Sequence, residues 1–128
     1  MKLQPDKSEV QTITAYGPGW IAINHERLET SMVVGSGGER FAWDCTSFES
    51  LGAAHFAPLA ALDAEMVIFG SGTRLRFPHP SWLQPLMARR VGVETMDTAA
   101  ACRTYNILAA EGRRVLAALL IEHPPGGI

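Results

Sequence analysis

The chain has 128 residues, enough for one compact domain with its own core but too few for two domains of ordinary size. Its 11 lysine and arginine residues against 13 aspartate and glutamate residues give a formal net charge of −2, a balance that offers no basic surface for nucleic acid. The longest strongly apolar run, at 115–121, has the length of a strand, so no membrane-inserted helix is expected.

The two ends of the chain differ from its middle in composition. Residues 1–9 are polar and 123–128 are rich in proline and glycine, so both are expected to be flexible around a single domain at 10–122. The first ten residues lack the apolar core of a secretory signal. Cys45 and Cys102 are too few and too far apart for a disulfide framework or a zinc site. We therefore expect reduced thiols and a cytoplasmic location.

The first third of the chain has the pattern of short strands. An alternating, β-branched sequence predicts a strand at 12–16, which the glycine-proline-glycine segment 17–19 ends. Apolar runs predict strands at 20–23 and 27–34, joined by a tight turn. The short connections indicate that these three strands are antiparallel.

From residue 40 onward, strands alternate with helices. Strands are predicted at 40–43, 65–70, 91–96 and 114–121, and helices at about 46–56, 80–90 and 97–111. Thr46 or Ser47 is expected to cap the first of these helices. Pro85 requires that the second helix bends or that its regular turns begin near Gln84. Such alternation indicates right-handed crossovers and parallel strands. The predicted fold is a three-layer α/β domain, in which helices flank a mixed, mostly parallel sheet with an antiparallel N-terminal hairpin.

Polar and glycine-rich segments follow the predicted strands. Parallel strands would bring 44–46, 70–73 and 97–98 to one edge of the sheet, and 122–123 would join them if the last strand runs the same way. The GSGT turn at 70–73 lets backbone N–H groups approach a ligand, and the helix that starts at Asp97 offers N–H groups to an anion. The alternative interpretation is a tight turn and a helix capped by its own Asp97 or Thr98. Neither the P-loop nor the dinucleotide fingerprint is present.

The helix predicted at 97–111 carries an unusual polar cluster. At about 100° per residue, one face is apolar and is expected to pack against the sheet: Ala100, Ala101, Thr104, Ile107 and Leu108. The opposite face is expected to point away from the sheet: Cys102, Tyr105, Asn106 and Ala109, with Arg103 on its flank.

The candidate binding residues combine the predicted edge with this polar face: Gly70, Ser71, Gly72, Thr73, Arg74, Asp97, Thr98, Cys102, Arg103, Tyr105 and Asn106. No catalytic set is predicted, because none of the four histidines has a spacing that pairs it with Cys102. No metal-ligand spacing is found either, and no cofactor is expected.

Three hypotheses for the role of the polar cluster stay open. The sequence also leaves the oligomeric state of the protein open. The first is a non-catalytic surface that binds a protein partner through residues 102–106. The second is a small-molecule site, anion site or enzyme at the glycine turn and the 97–103 helix start. The third is a structural network that ties the helix to the N-terminal strands through buried hydrogen bonds.

Three stretches resemble a known family: YGPGWIAIN (16–24), FGSGTRLRFP (69–78) and VGVETMDTAAACRTYNILAAEGRRVLAALL (91–120). They closely resemble the domain-of-unknown-function family that includes the mitochondrial complex I assembly factor 3. The resemblance implies a single three-layer α/β domain, a role in protein assembly for the mitochondrial member, and no agreed catalytic set. Departures from the family pattern are His25 and Pro85. The family-like positions are Gly70, Gly72, Asp97, Thr98, Cys102, Arg103, Thr104, Tyr105, Asn106, Glu111 and Arg113.

Overall fold

The structure, a computed structural model, describes residues 10–123. Within this range the chain forms eight strands: β1 (Ile13–Gly17), β2 (Trp20–Ile23), β3 (Glu26–Leu28), β4 (Met32–Gly35), β5 (Arg40–Ala42), β6 (Met66–Gly70), β7 (Gly92–Met96) and β8 (Val115–Leu119). Its α-helices are α1 (Ala53–Phe56), α2 (Gln84–Ala88) and α3 (Thr98–Ala110). Short 3-10 turns lie at Phe48–Ser50, Ala57–Ala61 and Pro80–Leu83.

The strands form two sheets. One is antiparallel, with the order β1-β2-β3, and the other has five strands in the order β5-β4-β8-β6-β7. In the larger sheet β6 is parallel to both β7 and β8, whereas β4 is antiparallel to both β5 and β8. Four of its five strands therefore run in the same direction, with β4 reversed. The predicted mixed α/β class is confirmed, and the N-terminal addition is a three-stranded sheet that extends beyond a hairpin.

The large sheet is covered on both faces, which gives three layers. Alternate residues of β8 face opposite sides: Val115 and Ala117 pack toward α3 and the small sheet, and Leu116 and Ala118 pack toward the other face. That other face carries an aromatic cluster covered by α1, α2 and the 3-10 turns: Trp43, Phe48, Phe56, Phe69 and Trp82. β8 is buried throughout because it lies at the centre of both cores.

The strand predicted at 27–34 is two strands in different sheets. β3 ends at Leu28 and β4 begins at Met32, and the residues between them carry the chain from the small sheet to the large one. Ser31 in this connection is buried, and its hydroxyl accepts the N–H of Ile121 at 2.8 Å. The predicted turn before β3 is present, with positive φ at Asn24 and His25 (48° and 74°).

The two predicted helices before α3 are shorter than expected. The segment expected to be helical at 46–56 breaks at Gly52, whose extended backbone separates a 3-10 turn from α1. Ser47 caps that turn, as predicted, by accepting the N–H of Ser50. The segment at 80–90 becomes regular only at Gln84, with Pro85 in the first turn of α2, which is one of the two solutions that Pro85 permits.

The buried arc of helix α3 is rotated from the predicted one and keeps only Ala101 and, in part, Leu108 of the predicted face. Ala101, Cys102 and Tyr105 are completely buried, whereas Ile107 is 59 % exposed. The prediction was wrong because α3 is enclosed on two sides, by the large sheet and by β1, so its buried arc follows two neighbours instead of one. The large Tyr105 ring fills the space between them, and its hydroxyl finds a partner there.

The polar groups of this buried face are hydrogen-bonded to the N-terminal segment. The Asn106 carboxamide accepts the Ile13 N–H at 2.8 Å and donates to the Ile13 carbonyl at 2.9 Å, so it pairs with the backbone of β1 as another strand would. The Tyr105 hydroxyl donates to the Gln11 carbonyl at 2.8 Å. The Gln11 side chain donates in turn to the carbonyls of Gly35 and Glu39. This arrangement supports the structural-network hypothesis for Tyr105 and Asn106.

The predicted flexible ends lie mostly outside the described residues. Residues 1–9 and 124–128 are not described, but His123, which the prediction placed in the loose tail, is. Its Nε2 atom lies 2.6 Å from the Glu29 carbonyl oxygen, so the chain is anchored at least to this residue. None of the helices in the described range has the length and apolar character needed to cross a bilayer.

The Asn106 pairing leads to a stability prediction. Asn106→Ala is expected to lower the free energy of unfolding by about 1–3 kcal/mol, because the Ile13 N–H and C=O would lose their partners at a buried position. Urea unfolding at neutral pH measures the loss. Ile107→Ala on the same helix is the control, expected to change stability by about 0.5 kcal/mol or less because Ile107 is exposed. Equal stability of the two variants would contradict the network.

Candidate functional site

Three strand ends are joined at one edge of the large sheet by the side chain of Thr98. Its hydroxyl donates to the Leu120 carbonyl and accepts the Gly72 N–H, both at 2.8 Å. The Thr98 N–H donates to the Gly72 carbonyl at 2.9 Å. The segments after β6, β7 and β8 are therefore adjacent, as the parallel-strand argument predicted. We call this edge the rim, made of residues 70–73, 97–99 and 120–122.

Three backbone N–H groups at the start of α3 have partners within the protein. Asp97 Oδ1 accepts the Ala100 N–H at 2.9 Å, and the Asp97 carbonyl accepts the Ala101 N–H. With the Thr98 N–H bonded to Gly72, these donors at the helix start are occupied by the protein itself. The geometry is that of the self-capped helix, one of the two interpretations that the sequence left open.

The loop after β6 is held tightly by Ser71. This buried serine donates to the Arg74 carbonyl at 2.8 Å and accepts the Arg76 N–H at 3.0 Å. Gly72 has a φ of 101°, and a Cβ there would collide with the side chains of Glu122 and Arg76. The loop is therefore compact, yet it exposes Leu75 and Phe77, which are 53 % and 68 % exposed.

An ion pair fixes this loop to the end of β8. The Arg76 guanidinium donates to Glu122 Oε1 at 2.5 Å and to the Ser71 carbonyl at 2.7 Å, and it lies over the Phe48 ring. Glu122 Oε2 also accepts the Phe48 N–H, which brings the segment after β5 to the rim as well. Both charged side chains are mostly buried, with exposures of 16 % and 17 %.

A cavity of about 290 Å³ lies between the rim and the β1–β2 turn. This volume is just below the range for ligand pockets, which is about 300–1,000 Å³. At Gly17 a Cβ would lie 2.5 Å from the Trp20 Nε1, so glycine lets the indole fold back over the turn. The turn side of the wall is Tyr16, Gly17, Pro18, Gly19, Trp20 and Ile21, and the rim side is Gly72, Thr73, Asp97, Thr98, Ala99, Leu120, Ile121 and Glu122.

The outer margin of the cavity carries two arginines. Arg103, one helical turn beyond Ala99, donates to the Tyr16 hydroxyl at 2.8 Å, and this hydrogen bond raises the pKa of the Arg103 guanidinium. The Arg27 guanidinium lies 4.4 Å above the centre of the Trp20 ring. Both contacted aromatic residues line the cavity, so the arginines stand beside its entrance.

The two thiols are buried and protonated. Burial raises the pKa of Cys102 from 9.0 to about 12 and that of Cys45 to about 11. Because folding raises these pKa values, the stability that the protonated thiols contribute is complete below pH 9 and is lost as the pH rises from 9 toward 12. Neither sulfur is a thiolate at neutral pH, so the structure offers no support for a thiol nucleophile at Cys102.

The predicted site residues separate into three groups. Gly70–Thr73, Asp97 and Thr98 lie together at the rim, and Arg74 is exposed on the loop beyond it. Arg103 is exposed beside the cavity, whereas Cys102 and Tyr105 belong to the core. Among the described residues no group of three or more histidine, cysteine or acidic side chains could hold a metal ion.

The adjacency of the β1–β2 turn and the rim was not predicted from the sequence. Tyr16, Gly17–Gly19 and Trp20 form half of the cavity wall, but they were interpreted only as a chain break between strands. Glu122 was assigned to the rim without being made a candidate. The one available signal was the GPG sequence between two apolar strands, because two glycines around a proline at that point allow a close approach of backbone to other groups.

Comparison with known proteins identifies the family. Residues 13–120 match the model of the family described as "Protein of unknown function (DUF498/DUF598)". The chain belongs to this family. The resemblance found in the sequence is thereby confirmed, and the match covers almost all of the described domain.

Several relatives of the DUF498 chain are named assembly factors. The bovine "NADH dehydrogenase [ubiquinone] 1 alpha subcomplex assembly factor 3" is 36 % identical over 87 residues, which are 66 % of this chain and 46 % of that protein. The mouse protein of the same name is 44 % identical over 62 residues, 48 % of this chain and 32 % of that protein. The chain thus spans a third to a half of the length of these relatives. An uncharacterized protein of Rhodobacter capsulatus is 34 % identical over 119 residues, covering 91 % and 90 % of the two chains.

Solved structures share the fold. A Bordetella parapertussis protein superposes with a TM-score of 0.82 at 40 % identity, covering 88 % of this chain and 96 % of that one. A Bordetella pertussis protein described as an Mth938-like domain gives a TM-score of 0.76 at 36 % identity, covering 96 % and 94 %. The mixed α/β assignment is therefore confirmed by experimental structures of relatives.

The buried thiols give a prediction for chemical labelling. Native protein at about pH 8 is expected to leave both cysteines unreactive toward a disulfide reagent such as dithionitrobenzoate, because both sulfurs are buried and protonated. In concentrated denaturant two thiols per chain should react, and this stoichiometry is the control. Rapid native labelling that mass spectrometry maps to Cys102 would show that this thiol is accessible.

The Arg76–Glu122 pair gives a second stability prediction. Glu122→Ala is expected to lower the free energy of unfolding by about 2–4 kcal/mol, because it leaves the Arg76 charge buried without its partner. Asp63→Ala is the matched control: it removes the ion pair with Arg114, in which the aspartate is 84 % exposed, and should cost less than about 1 kcal/mol. Denaturant unfolding compares the two, and similar small losses would mean that the buried pair adds no support to the loop.

Proposed function

We propose that this DUF498 chain is an assembly factor, a non-catalytic protein that binds other proteins while a multisubunit complex forms. The observation that carries the proposal is its similarity to relatives named as assembly factors of NADH dehydrogenase, 36 % identical over two thirds of this chain in the bovine case. The matched relatives are longer than this chain, so the complex and the subunit that it binds are part of the proposal. The two unpaired, buried cysteines fit a protein that acts in the reducing cytoplasm.

The contact surface that we propose lies around the cavity. Of the polar helix face at 102–106, Arg103 is the exposed member and stands beside Tyr16, which is 36 % exposed. On the loop side, Arg74 is exposed next to Leu75 and Phe77. We call these five side chains the contact surface. Arginine and aromatic residues are enriched in binding hot spots.

The loop that presents part of this surface is already ordered. Its conformation is fixed by the Ser71 hydrogen bonds and the Arg76–Glu122 pair, so binding would order only the exposed side chains. Pre-organisation of this kind lowers the entropic cost of association. Leu75 and Phe77 therefore present two exposed apolar side chains on a rigid loop, where a partner protein would cover them.

A small-molecule site is the second candidate, and the cavity is the observation that favours it. An anion at the α3 start would compete with Asp97 for the Ala100 N–H, and a thiol reaction would need access to the buried Cys102. The version of this hypothesis with most support is therefore an apolar ligand in the cavity itself.

The assembly proposal predicts a defect in cells. Deleting the gene is expected to lower the amount of one complete multisubunit complex and to leave subcomplexes, because a missing assembly factor slows joining of subunits. Native gel electrophoresis of membranes and extracts measures this, with respiratory NADH dehydrogenase examined first. Re-expression of the chain should restore the complex. Unchanged levels of every resolved complex in the deletion strain would contradict the proposal.

Variants locate the surface in the same assay. Phe77→Asp and Arg103→Glu are expected to restore less than about half of the complex, because each places a charge against the partner in the interface. Ile107→Asp and Arg89→Glu are the matched controls, since Ile107 is 59 % exposed and Arg89 is exposed on the chain after α2. Full restoration by all four variants would place the partner elsewhere on the domain.

A further inference from the structure

We propose that the cavity receives one large apolar side chain of the partner protein, and that an acidic residue beside it pairs with Arg103. This inference rests on the proposed binding function and adds the kind of segment that is bound. The occupant is an exposed stretch of a partner in which leucine, methionine or phenylalanine neighbours aspartate or glutamate. The size of the cavity, the state of its polar groups and the charge beside it support this inference.

The cavity has the size and lining for such a side chain. Its floor contains Ile21 and Leu120, both fully buried, and Ile121, which is 5 % exposed. An apolar cavity of about 150 Å³ accommodates benzene, so about 290 Å³ is enough for an aromatic or branched aliphatic side chain. Tyr16 and Trp20 at the entrance add aromatic surface against which the same side chain would pack.

Three polar side chains of the wall already have partners in the protein. Asp97 accepts from the Ala100 N–H, Thr98 is bonded to Gly72 and Leu120, and Glu122 is bonded to Arg76. A polar ligand would compete with these existing bonds. Transfer of an apolar group from water into the cavity is favourable in free energy and keeps every one of these bonds intact.

Beside the cavity one arginine, Arg103, has no carboxylate partner among the described residues. Arg103 has the Tyr16 hydroxyl as its hydrogen-bond partner, and within residues 10–123 it forms no ion pair with a carboxylate. Arg27, on the Trp20 side, is already paired with Glu29 at 3.3 Å. Asp97 is the nearby acid, and it contributes to the field at Arg103 from its position as the helix cap. The Arg103 guanidinium is therefore available to bind a carboxylate of the partner.

Arg103 is placed to contact the partner residue next to the one whose side chain enters the cavity. Ala99 lines the cavity and Arg103 follows it by four positions in α3, so the two side chains lie on the same stripe of the helix, about 6 Å apart. That separation matches the spacing of adjacent or next-adjacent side chains in a peptide. A segment whose apolar side chain enters the cavity beside Ala99 can thus present its acid to the guanidinium.

The direct test uses blocked dipeptides as probes of the isotope-labelled chain. The panel is acetyl-Xaa-Glu-amide, with leucine, methionine, phenylalanine or alanine as Xaa, and acetyl-Leu-Lys-amide. Titration followed by amide chemical shifts should give saturable changes at Gly19, Gly72 and Ala99 for the large apolar members. Affinity should fall about tenfold or more for alanine, which leaves the cavity unfilled. No binding by any of the three large members, or shifts confined to other parts of the domain, would overturn the inference.

Variants separate the cavity from the charge. Ala99→Leu fills the cavity from the helix and should lower the affinity for acetyl-Leu-Glu-amide by about tenfold or more. Ala110→Leu, on the exposed end of α3, should leave this affinity unchanged. Thr73→Leu narrows the cavity from the exposed loop and is the substitute filling variant if Ala99→Leu fails to fold. Arg103→Glu should reverse the preference for glutamate over lysine in the probe, while Arg89→Glu should keep it. Unchanged affinity in both filling variants, or an unchanged preference in Arg103→Glu, would contradict the proposed recognition.

The cellular assay distinguishes this inference from the proposed function. A folded Ala99→Leu chain should fail to restore the complex in the deletion strain. If it restores the complex as well as the unmodified chain does, the cavity inference is wrong and the assembly role stands. If the probes bind as expected but deletion leaves every complex intact, the assembly role is wrong and the cavity retains its specificity for an apolar group beside an acid.

Discussion

The cavity exists because helix α3 contacts both sheets. Its wall comes half from the β1–β2 turn of the small sheet and half from the ends of β6, β7 and β8 in the large one. No strand pairing joins the two sheets within the described range, so their relative position depends on the side chains between them. The Asn106 carboxamide, bonded to both backbone groups of Ile13, is the most specific of these contacts.

The same contact explains the polar cluster at the start of the helix. A purely apolar interface would hold α3 against β1 but would leave the register between them weakly defined, since apolar contacts have little directionality. Buried hydrogen bonds define it, because each of the paired backbone groups has a partner at one position only. Tyr105 and Asn106 supply these bonds, and Cys102 fills the space beside them as a small apolar group. Arg103 is left to face solvent.

The sequence predicted those features that depend on neighbouring residues. The order of strands and helices, the turn at Asn24, the Ser47 and Asp97 caps and the meeting of 70–73 with 97–98 all follow from local patterns and the direction of parallel strands. The buried face of α3 was predicted incorrectly because periodicity identifies one apolar face, and this helix is enclosed on two. The half of the cavity around Trp20 could not be predicted, since it depends on contacts such as Ile13 with Asn106, which lie 93 positions apart.

The rim uses its polar groups to join the strand ends, and this determines how a ligand can be recognised there. Thr98, Asp97 and Glu122 each satisfy a backbone group or a charge that the end of a strand or helix would otherwise leave unpaired. A donor or acceptor that already has such a partner adds less to binding, because a ligand group must compete with the existing bond. What the rim offers is a fixed shape with apolar walls. Selectivity for polar groups must then come from the entrance, where Arg103 can exchange its solvent contacts for a carboxylate at a smaller cost in desolvation than a buried arginine would bear.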